Sequence, residues 1–377
     1  MKILIAPNAF KNSLTAEDAA FAISEGLTQS HLDCDCECFP VGDGGDGTAA
    51  LIIEKNGGQL VITAVQDSFG RKMNASFGLI DGGKTAVIEM SNASGLRLLQ
   101  PEEYNPMKAT SFGTGEQIKM ALDKGVTKII IGMGGSATVD GGTGILKALG
   151  IRFLNSDNLE LLNLPSDLSE LDSVDFSGVD SRIMKTELIV LCDVNNLLLG
   201  VDGAATMFGP QKGASENQVY QLEAALTKLS EVVLRQTGRD MASIKYGGTA
   251  GGASAGLYAV LHAKLVQGIE YFLDITSFDK SLEKANIVIT GEGSIDEQTV
   301  KGKGPFGVAL RAKGKGIPVI GLAGKVPLES NSNIQKYFDV LIAIGHQPES
   351  LSSSLGATKQ NLIRTARELG NLLAMQQ

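Results

Sequence analysis

Histidine and cysteine are scarce in this chain, three and four residues among 377, and where they fall removes several kinds of chemistry. His31, His262 and His346 are scattered and share no local motif, so none is expected to act as a catalytic base or metal ligand. Cys34, Cys36 and Cys38 alternate with Asp33, Asp35 and Glu37, the period of a half-buried strand with thiols on one face and carboxylates on the other. Only Cys192 remains downstream, so neither a C-x-x-C spacing nor a second ligand pair exists for zinc, and the thiols are expected to be structural. No apolar run approaches the roughly 18 residues of a membrane helix. The opening MKILIAPNAFKNS turns polar too early for a signal peptide, and a cytoplasmic protein is expected. Dense Lys/Arg runs are also missing and the net charge is -9, which excludes a nucleic-acid surface and confines any phosphate binding to local sites. Neither G-x-x-x-x-G-K-[ST] nor an H-R-D and D-F-G set occurs, so the two commonest phosphate-transfer classes are excluded by their own motifs.

What is present is a hydrophobic content of 43% in a chain long enough to favour two domains, punctuated by glycine-rich loops. The central one follows Ile129, Ile130 and Ile131, a β-branched run that predicts a buried strand. Gly132, Gly134, Gly135, Gly141, Gly142 and Gly144 then surround Ser136, Thr138 and Asp140. Backbone N–H groups in such a loop can converge on an anion, and a helix predicted over Ile145–Leu149 would add its positive end.

Other segments repeat this logic. An opening strand, Ile3–Ala6, stops at Pro7, and a polar loop with Lys11 and Ser13 precedes a helix capped by Thr15 and Asp18. Position alone leaves Lys11 readable either as a ligand-facing group or as a solvated lysine. After the thiol strand comes PVGDGGDGT, where Asp43 and Asp46 suit a hard cation, the hydroxyls of a small polar substrate, or a plain Gly/Asp turn; the spacing is not that of an EF-hand. Between Gln59 and Leu96 the alternation predicts antiparallel hairpins, with a domain boundary near 60–65. Residues 155–186 read as an excursion with little regular structure. Asp193 directly follows the strand LIVLC, and Lys212 precedes a helix capped by Ser215 and Gln218. A cation before a helix N-terminus is a poor choice for stability, which tips Lys212 toward function. The loop Gly247–Gly256 either packs backbones closely or leaves room for a ligand. Finally, Glu292 and Asp296 follow the strand Ile287–Thr290, with Lys301 and Lys303 just beyond, and βαβ units return through VIGLAG and VLIAIG. Carboxylates and lysines at glycine-rich strand ends are the parts of a magnesium-dependent phosphoryl transfer.

The blocks MKILIAPNAFKNSLTAEDAA, PVGDGGDGTA, GTGEQIKMALDKG, GMGGSATVDGGTGILKALG, CDVNN, FGPQKGA, AGGASAGL and VITGEGSIDEQTVKGKGPFGVA together resemble, in order and over essentially the whole chain, the bacterial two-domain glycerate kinase family. The resemblance implies an α/β fold of two α/β domains. One is Rossmann-like with a parallel sheet, made from both chain termini (1–63 with 285–377), and the other is an inserted mixed domain (64–284), with the active site in the cleft between them. It implies ATP and Mg2+, D-glycerate as the small-molecule substrate, 2-phosphoglycerate rather than 3-phosphoglycerate as product, no nucleic-acid or membrane partner, and a monomer or homodimer. By the same analogy Asp193 is the base or hydroxyl-orienting carboxylate, with Lys11 and Asp296 as further catalytic groups. Asp43, Glu292 and Asp296 are expected at the metal, Asp43, Asp46 and Glu292 at substrate, and Lys11, Lys212 and Lys303 at phosphate or the glycerate carboxylate. Ser13, Gly134, Gly135, Ser136 and Asp140 complete the expected binding set. The family usually has proline after the second asparagine of its D-x-x-N-P-L block, whereas Leu197 follows Asn196 here, a change expected to alter loop stiffness more than chemistry.

Two rival functions follow from single features. Gly132-x-Gly134-x-x-Ala137 after a strand, with Asp157 downstream, matches a dinucleotide fingerprint and would suit a nicotinamide dehydrogenase, although TVDGG intervenes where that fold needs a helix. A non-catalytic sensor of a phosphorylated metabolite would also use glycine loops, but would have no purpose for so many strand-end acids.

Overall fold

The computed structural model describes residues 1–296, 299, 302–329 and 332–375. In chain order the strands are β1 (Lys2–Ile5), β2 (Asp35–Cys38), β3 (Gln59–Gln66), β4 (Lys72–Ile80), β5 (Thr85–Glu89), β6 (Lys128–Gly132), β7 (Arg152–Leu154), β8 (Ser173–Asp175), β9 (Glu187–Cys192), β10 (Lys264–Gln267), β11 (Ile287–Ser294), β12 (Val319–Lys325) and β13 (Val340–Ala343). The fold is α/β, in two compact units: Met1–Asp43 with Ile269–Gln377, and Gly44–Gly268.

These borders differ from 63/64 and 284/285, and side-chain packing explains both shifts. The helix Thr48–Lys55 belongs to the second unit, because Ile53 fills the space over Gly78 on β4, where an added Cβ would lie 2.2 Å from Ile53 Cγ1. The helix Gly268–Ile275 is tied instead to the first unit: Arg311, on the helix Gly304–Gly314, pairs with Glu270 at 2.8 Å and Asp274 at 2.6 Å.

In the first unit the five strands are all parallel, in the order β13-β12-β11-β1-β2. Counted within this sheet the order is the doubly wound 2-1-3-4-5, whose reversal lies between β1 and β11, the place where ligands bind at strand carboxyl ends. Two long helices cover one face. Ala16–Thr28 starts where Thr15 accepts the Asp18 N–H at 3.1 Å, and it meets Leu351–Ala374 so closely that a Cβ at Gly26 would lie 2.3 Å from the Ile363 carbonyl. Close backbone approach is what Gly26, in the last turn of its helix, provides. The strand β2 is half-buried as its alternation predicts; Cys34, Cys36 and Cys38 pack against this apolar cluster, and all four cysteines are free thiols.

The second unit holds a mixed six-stranded sheet in the order β10-β9-β6-β5-β4-β3. The pairs β3–β4 and β4–β5 are antiparallel, as the alternation between Gln59 and Leu96 predicts, while β5, β6, β9 and β10 run parallel. Ile129, Ile130 and Ile131 are fully buried in the centre. The helix Glu216–Thr237 has the expected capping box, Ser215 accepting the Gln218 N–H and Gln218 the Ser215 N–H, and it buries Leu222, Leu226, Leu229 and Val233. Residues 155–186 contain little regular structure beyond β8 and short 3-10 turns, yet they bury Leu161, Leu164, Leu168 and Leu171 in the main core. The loop Gly247–Gly256 turns out to serve close packing: a Cβ at Gly251 would lie 2.1 Å from the Thr138 carbonyl, and one at Gly256 would lie 2.1 Å from that of Gly141. No helix follows Ala137 before Thr143, so the dinucleotide fingerprint lacks the helix it requires.

Candidate active site

Each unit gathers part of the predicted chemistry at the carboxyl ends of its parallel strands. In the first unit, Asn8 follows β1 and donates from Nδ2 to Asp43 Oδ2 at 2.8 Å. The Gly304 N–H, at the start of the helix Gly304–Gly314, approaches the same oxygen at 3.4 Å. Glu292 stands near the end of β11, 7% exposed, and accepts from Thr299 Oγ1 at 2.9 Å. Thr299 Oγ1 in turn accepts the Asp296 N–H at 3.1 Å, and Asp296 Oδ2 accepts from Ser294 Oγ at 3.1 Å. Burial pushes the Glu292 carboxyl up to about 7; Lys303 and the Thr299 hydrogen bond oppose that shift, and Asp43 and Asp296 reinforce it. Lys11 is exposed, on a loop whose backbone lies against Gly293. The result is a cluster of acids with Lys303 acting on it, Lys11 exposed on a nearby loop, and a carboxyl group poised near neutrality.

In the second unit the organising group is Lys212. Its side chain is 3% exposed, and Nζ donates to Ser136 Oγ at 3.0 Å and to the Thr138 carbonyl at 2.7 Å. Burial lowers this ammonium to about 8, against the attraction of Asp140 and Asp193. Asp193 leaves β9 just beyond Cys192, next to the strand β6 that delivers Ser136. Asp46 packs over Gly135, where a Cβ would come within 2.2 Å of Asp46 Oδ1, and Gly134 is held by its N–H to the Gly44 carbonyl at 2.9 Å. A buried cation on a serine hydroxyl, attracted by two carboxylates, can hold an anion and orient a hydroxyl.

A profile of the glycerate kinase family matches residues 3–374. The chain belongs to the glycerate kinase family. Glycerate kinase from Haemophilus influenzae is 42% identical over 374 residues, 99% of each chain. Glycerate 2-kinase from Escherichia coli is 40% identical over 379 residues, covering 100% of this chain and 98% of its own. The fold is similar to a crystal structure of a candidate glycerate kinase 2 from Salmonella typhimurium LT2, at a TM-score of 0.83 and 40% identity, with 100% of this chain and 99% of that one covered. Apart from Met1 and Lys2, every block that carried the resemblance lies within the matched span.

The polar partners of several predicted site residues lie within the protein. Asp140 is fully buried, and its carboxylate accepts from Ser111 N–H and Oγ at 2.9 and 2.6 Å and from the N–H groups of Gly142 and Gly144 at 3.0 and 3.1 Å. It thereby occupies the N-terminus of the short helix Thr143–Ala148, which replaces the one expected over 145–149. The glycine loop is likewise no broad phosphate nest. Residues 131–142 are buried except Gly135, and the Ala137 and Gly141 N–H groups serve the Ser94 and Gly251 carbonyls at 2.8 and 3.0 Å. Ser13 Oγ donates to the Leu355 carbonyl at 2.6 Å, fastening its loop to the last helix.

The three acids expected at a metal do not form a cage. Among the described residues no group of three Asp, Glu, His or Cys side chains is placed to hold a cation. Asp43 turns to Asn8, Glu292 to Thr299 and Asp296 to Ser294. Lys301 lies outside the described residues. Sequence reading missed Asn8, Thr299 and Glu89. Glu89 ends the strand TAVIE just as Asp193 follows LIVLC, so the strand-end rule applied one strand earlier would have found it.

Proposed function

We propose that this chain transfers the γ-phosphoryl group of ATP to the 2-hydroxyl of D-glycerate, giving 2-phosphoglycerate. The observation that carries the proposal is the buried Lys212 ammonium on Ser136, with Asp193 at the end of the adjacent parallel strand. Phosphoryl transfer is mostly positioning and charge stabilisation, and it asks for a fixed cation and a hydroxyl-orienting carboxylate. The relatives' names support glycerate as acceptor, and the Escherichia coli relative's name favours the 2-position.

In this reading Asp193 accepts the proton of the attacking hydroxyl, and Lys212 with Ser136 holds either the glycerate carboxylate or the migrating phosphate. Asp46 orients the substrate hydroxyls. Lys11 and Lys303 meet the nucleotide phosphates, and Glu292 and Asp43 shape that cluster. Magnesium keeps several waters and uses one or two protein carboxylates beside the phosphates, so the acid-rich cluster without a preformed cage suits an ion that arrives with the nucleotide, and Asp296 would hold it. When bound, the ion neutralises charge on the phosphate oxygens. No helix among the described residues is long and apolar enough to cross a membrane, which accords with the proposed cytoplasmic setting. Phosphorus NMR of D-glycerate with ATP, run with and without magnesium, tests the proposal. Magnesium-dependent ADP formation with a 2-phosphoglycerate signal is expected, and absence of any phosphoglycerate would overturn it.

A further inference from the structure

Glu89 is a buried carboxylate that the reaction above does not use. It ends β5, opposite Gly132 on β6, and is 4% exposed. Its Oε1 accepts the Gly47 N–H at 2.8 Å and Ser91 Oγ at 3.1 Å, and Oε2 accepts the Ala49 N–H at 3.1 Å. The helix Thr48–Lys55 begins behind Gly47, which sits at φ +87° and has no side chain to cap it, so Glu89 supplies the cap from another strand. A neutral Ser, Thr or Asn at the cap position would satisfy a helix end without burying charge. Here burial instead raises the carboxyl above its ordinary range, and the nearby Asp46 charge adds to the shift. Glu89 thus grips the backbone immediately after Asp46, in a loop that is also tied by Gly44 N–H to Thr48 Oγ1 at 3.0 Å and by Gly134 N–H to the Gly44 carbonyl at 2.9 Å.

We infer that Glu89 is a positioning residue that fixes the Asp46 carboxylate over Gly135 by holding the Gly47 and Ala49 N–H groups. For activity this rests on the glycerate kinase reading; the placement of the loop does not. A double-mutant cycle of Glu89→Gln and Asp46→Asn, assayed with ATP and D-glycerate, tests the coupling. Each single change is expected to lower kcat about tenfold or more with KM altered far less, and the double variant to be no worse than the poorer single. Losses that multiply would overturn the inference, since a residue that merely held the fold would act independently of Asp46. Hydrogen exchange across residues 44–50 reads the placement without any turnover. Glu89→Gln is expected to deprotect Gly47 and Ala49 about tenfold or more, and unchanged protection would overturn the inference even in an active enzyme. A wild-type protein inactive on glycerate, with the exchange result as expected, would remove the functional reading and leave the positioning role standing.

Discussion

The Lys212 ammonium donates to Ser136 Oγ at 3.0 Å across 76 positions of chain. Ser136 follows β6 and Lys212 ends a 3-10 turn ahead of the helix Glu216–Thr237, and what joins them is a buried charge whose one further hydrogen bond among the described residues goes to the Thr138 carbonyl. A side chain kept charged in such a place is costly for folding and valuable to an anionic reactant. Lys212→Met is therefore expected to lower kcat/KM about 100- to 1,000-fold, the usual effect of removing one preorganised donor. Thermal stability should change little, because the desolvation penalty leaves with the ammonium. Lys212→Arg should not restore activity, since a planar fork does not fit a site shaped for a point charge. Steady-state kinetics beside thermal melts decide this, and a Met variant within threefold of wild type would exclude Lys212 from the reaction.

Asp193 offers a sharper test of chemistry. It is only part-buried at the end of β9, so Asp193→Asn preserves size and leaves the core intact. Loss of a general base typically removes 100- to 10,000-fold from turnover. The variant should show that loss in kcat with an unchanged circular dichroism spectrum and melting point. Turnover near the wild-type level would leave the residue with no part in proton transfer.

Much of this arrangement was legible in the residues because it depends on short-range rules. The β-branched run Ile129–Ile131, the Ser215/Gln218 capping box and the alternation of Cys34, Cys36 and Cys38 each fix a local element, and each was found where expected. The acids Asp43, Glu292, Asp296 and Asp193 lie at or beyond the carboxyl ends of strands, as their positions in the sequence predict, and such ends are ligand ground in parallel sheets. What could not be read was the partner of each polar group. Asp140 reads from the sequence as a ligand-facing acid, and its partner Ser111 lies 29 positions earlier, a contact that no local pattern encodes. The glycines at 251 and 256 could equally have made space or removed it, and only the positions of the Thr138 and Gly141 carbonyls decide for close packing. The borders of the two compact units lie away from 63/64 and 284/285 for the same reason: the helix Thr48–Lys55 goes with the second sheet because Ile53 meets Gly78, which no periodicity encodes.

Glu292 should make both activity and stability respond to pH near neutrality. Burial places its carboxyl at about 7, well above the ordinary carboxylate range, so the folded protein holds a proton there that the unfolded chain has released. In the window between the two values the folded state binds more protons, and linkage then requires stability to fall as pH rises from about 4.5 to about 7. Lys212 acts in the opposite sense. Its ammonium is lowered to about 8, so the unfolded chain binds more protons between that value and the ordinary lysine range, and stability rises with pH there. Glu292→Gln should flatten the acid-side fall in melting temperature and shift or remove the acid limb of the kcat profile. A variant whose melting temperature tracks wild type across pH 5 to 7 would show that the carboxyl titrates normally.

Gly135 provides a way to separate backbone strain from placement of Asp46. It sits at φ +68°, and a Cβ there would lie 2.2 Å from Asp46 Oδ1 and 2.5 Å from Oδ2. Gly125 has a comparable φ of +78° with nothing within 4 Å of an added Cβ, so Gly125→Ala reports the strain alone, about 1 kcal/mol. Gly135→Ala carries that same strain and must also displace a carboxylate, which being exposed can swing toward solvent. The two variants should therefore melt within a few degrees of each other, while Gly135→Ala alone loses about tenfold or more in kcat, as expected when a reacting group's support shifts by about 1 Å. Combining Gly135→Ala with Asp46→Ala should then add little to the loss from Asp46→Ala, because the group that the new methyl displaces is already gone. Equal activity in Gly125→Ala and Gly135→Ala would mean that the position of Asp46 does not matter to the reaction.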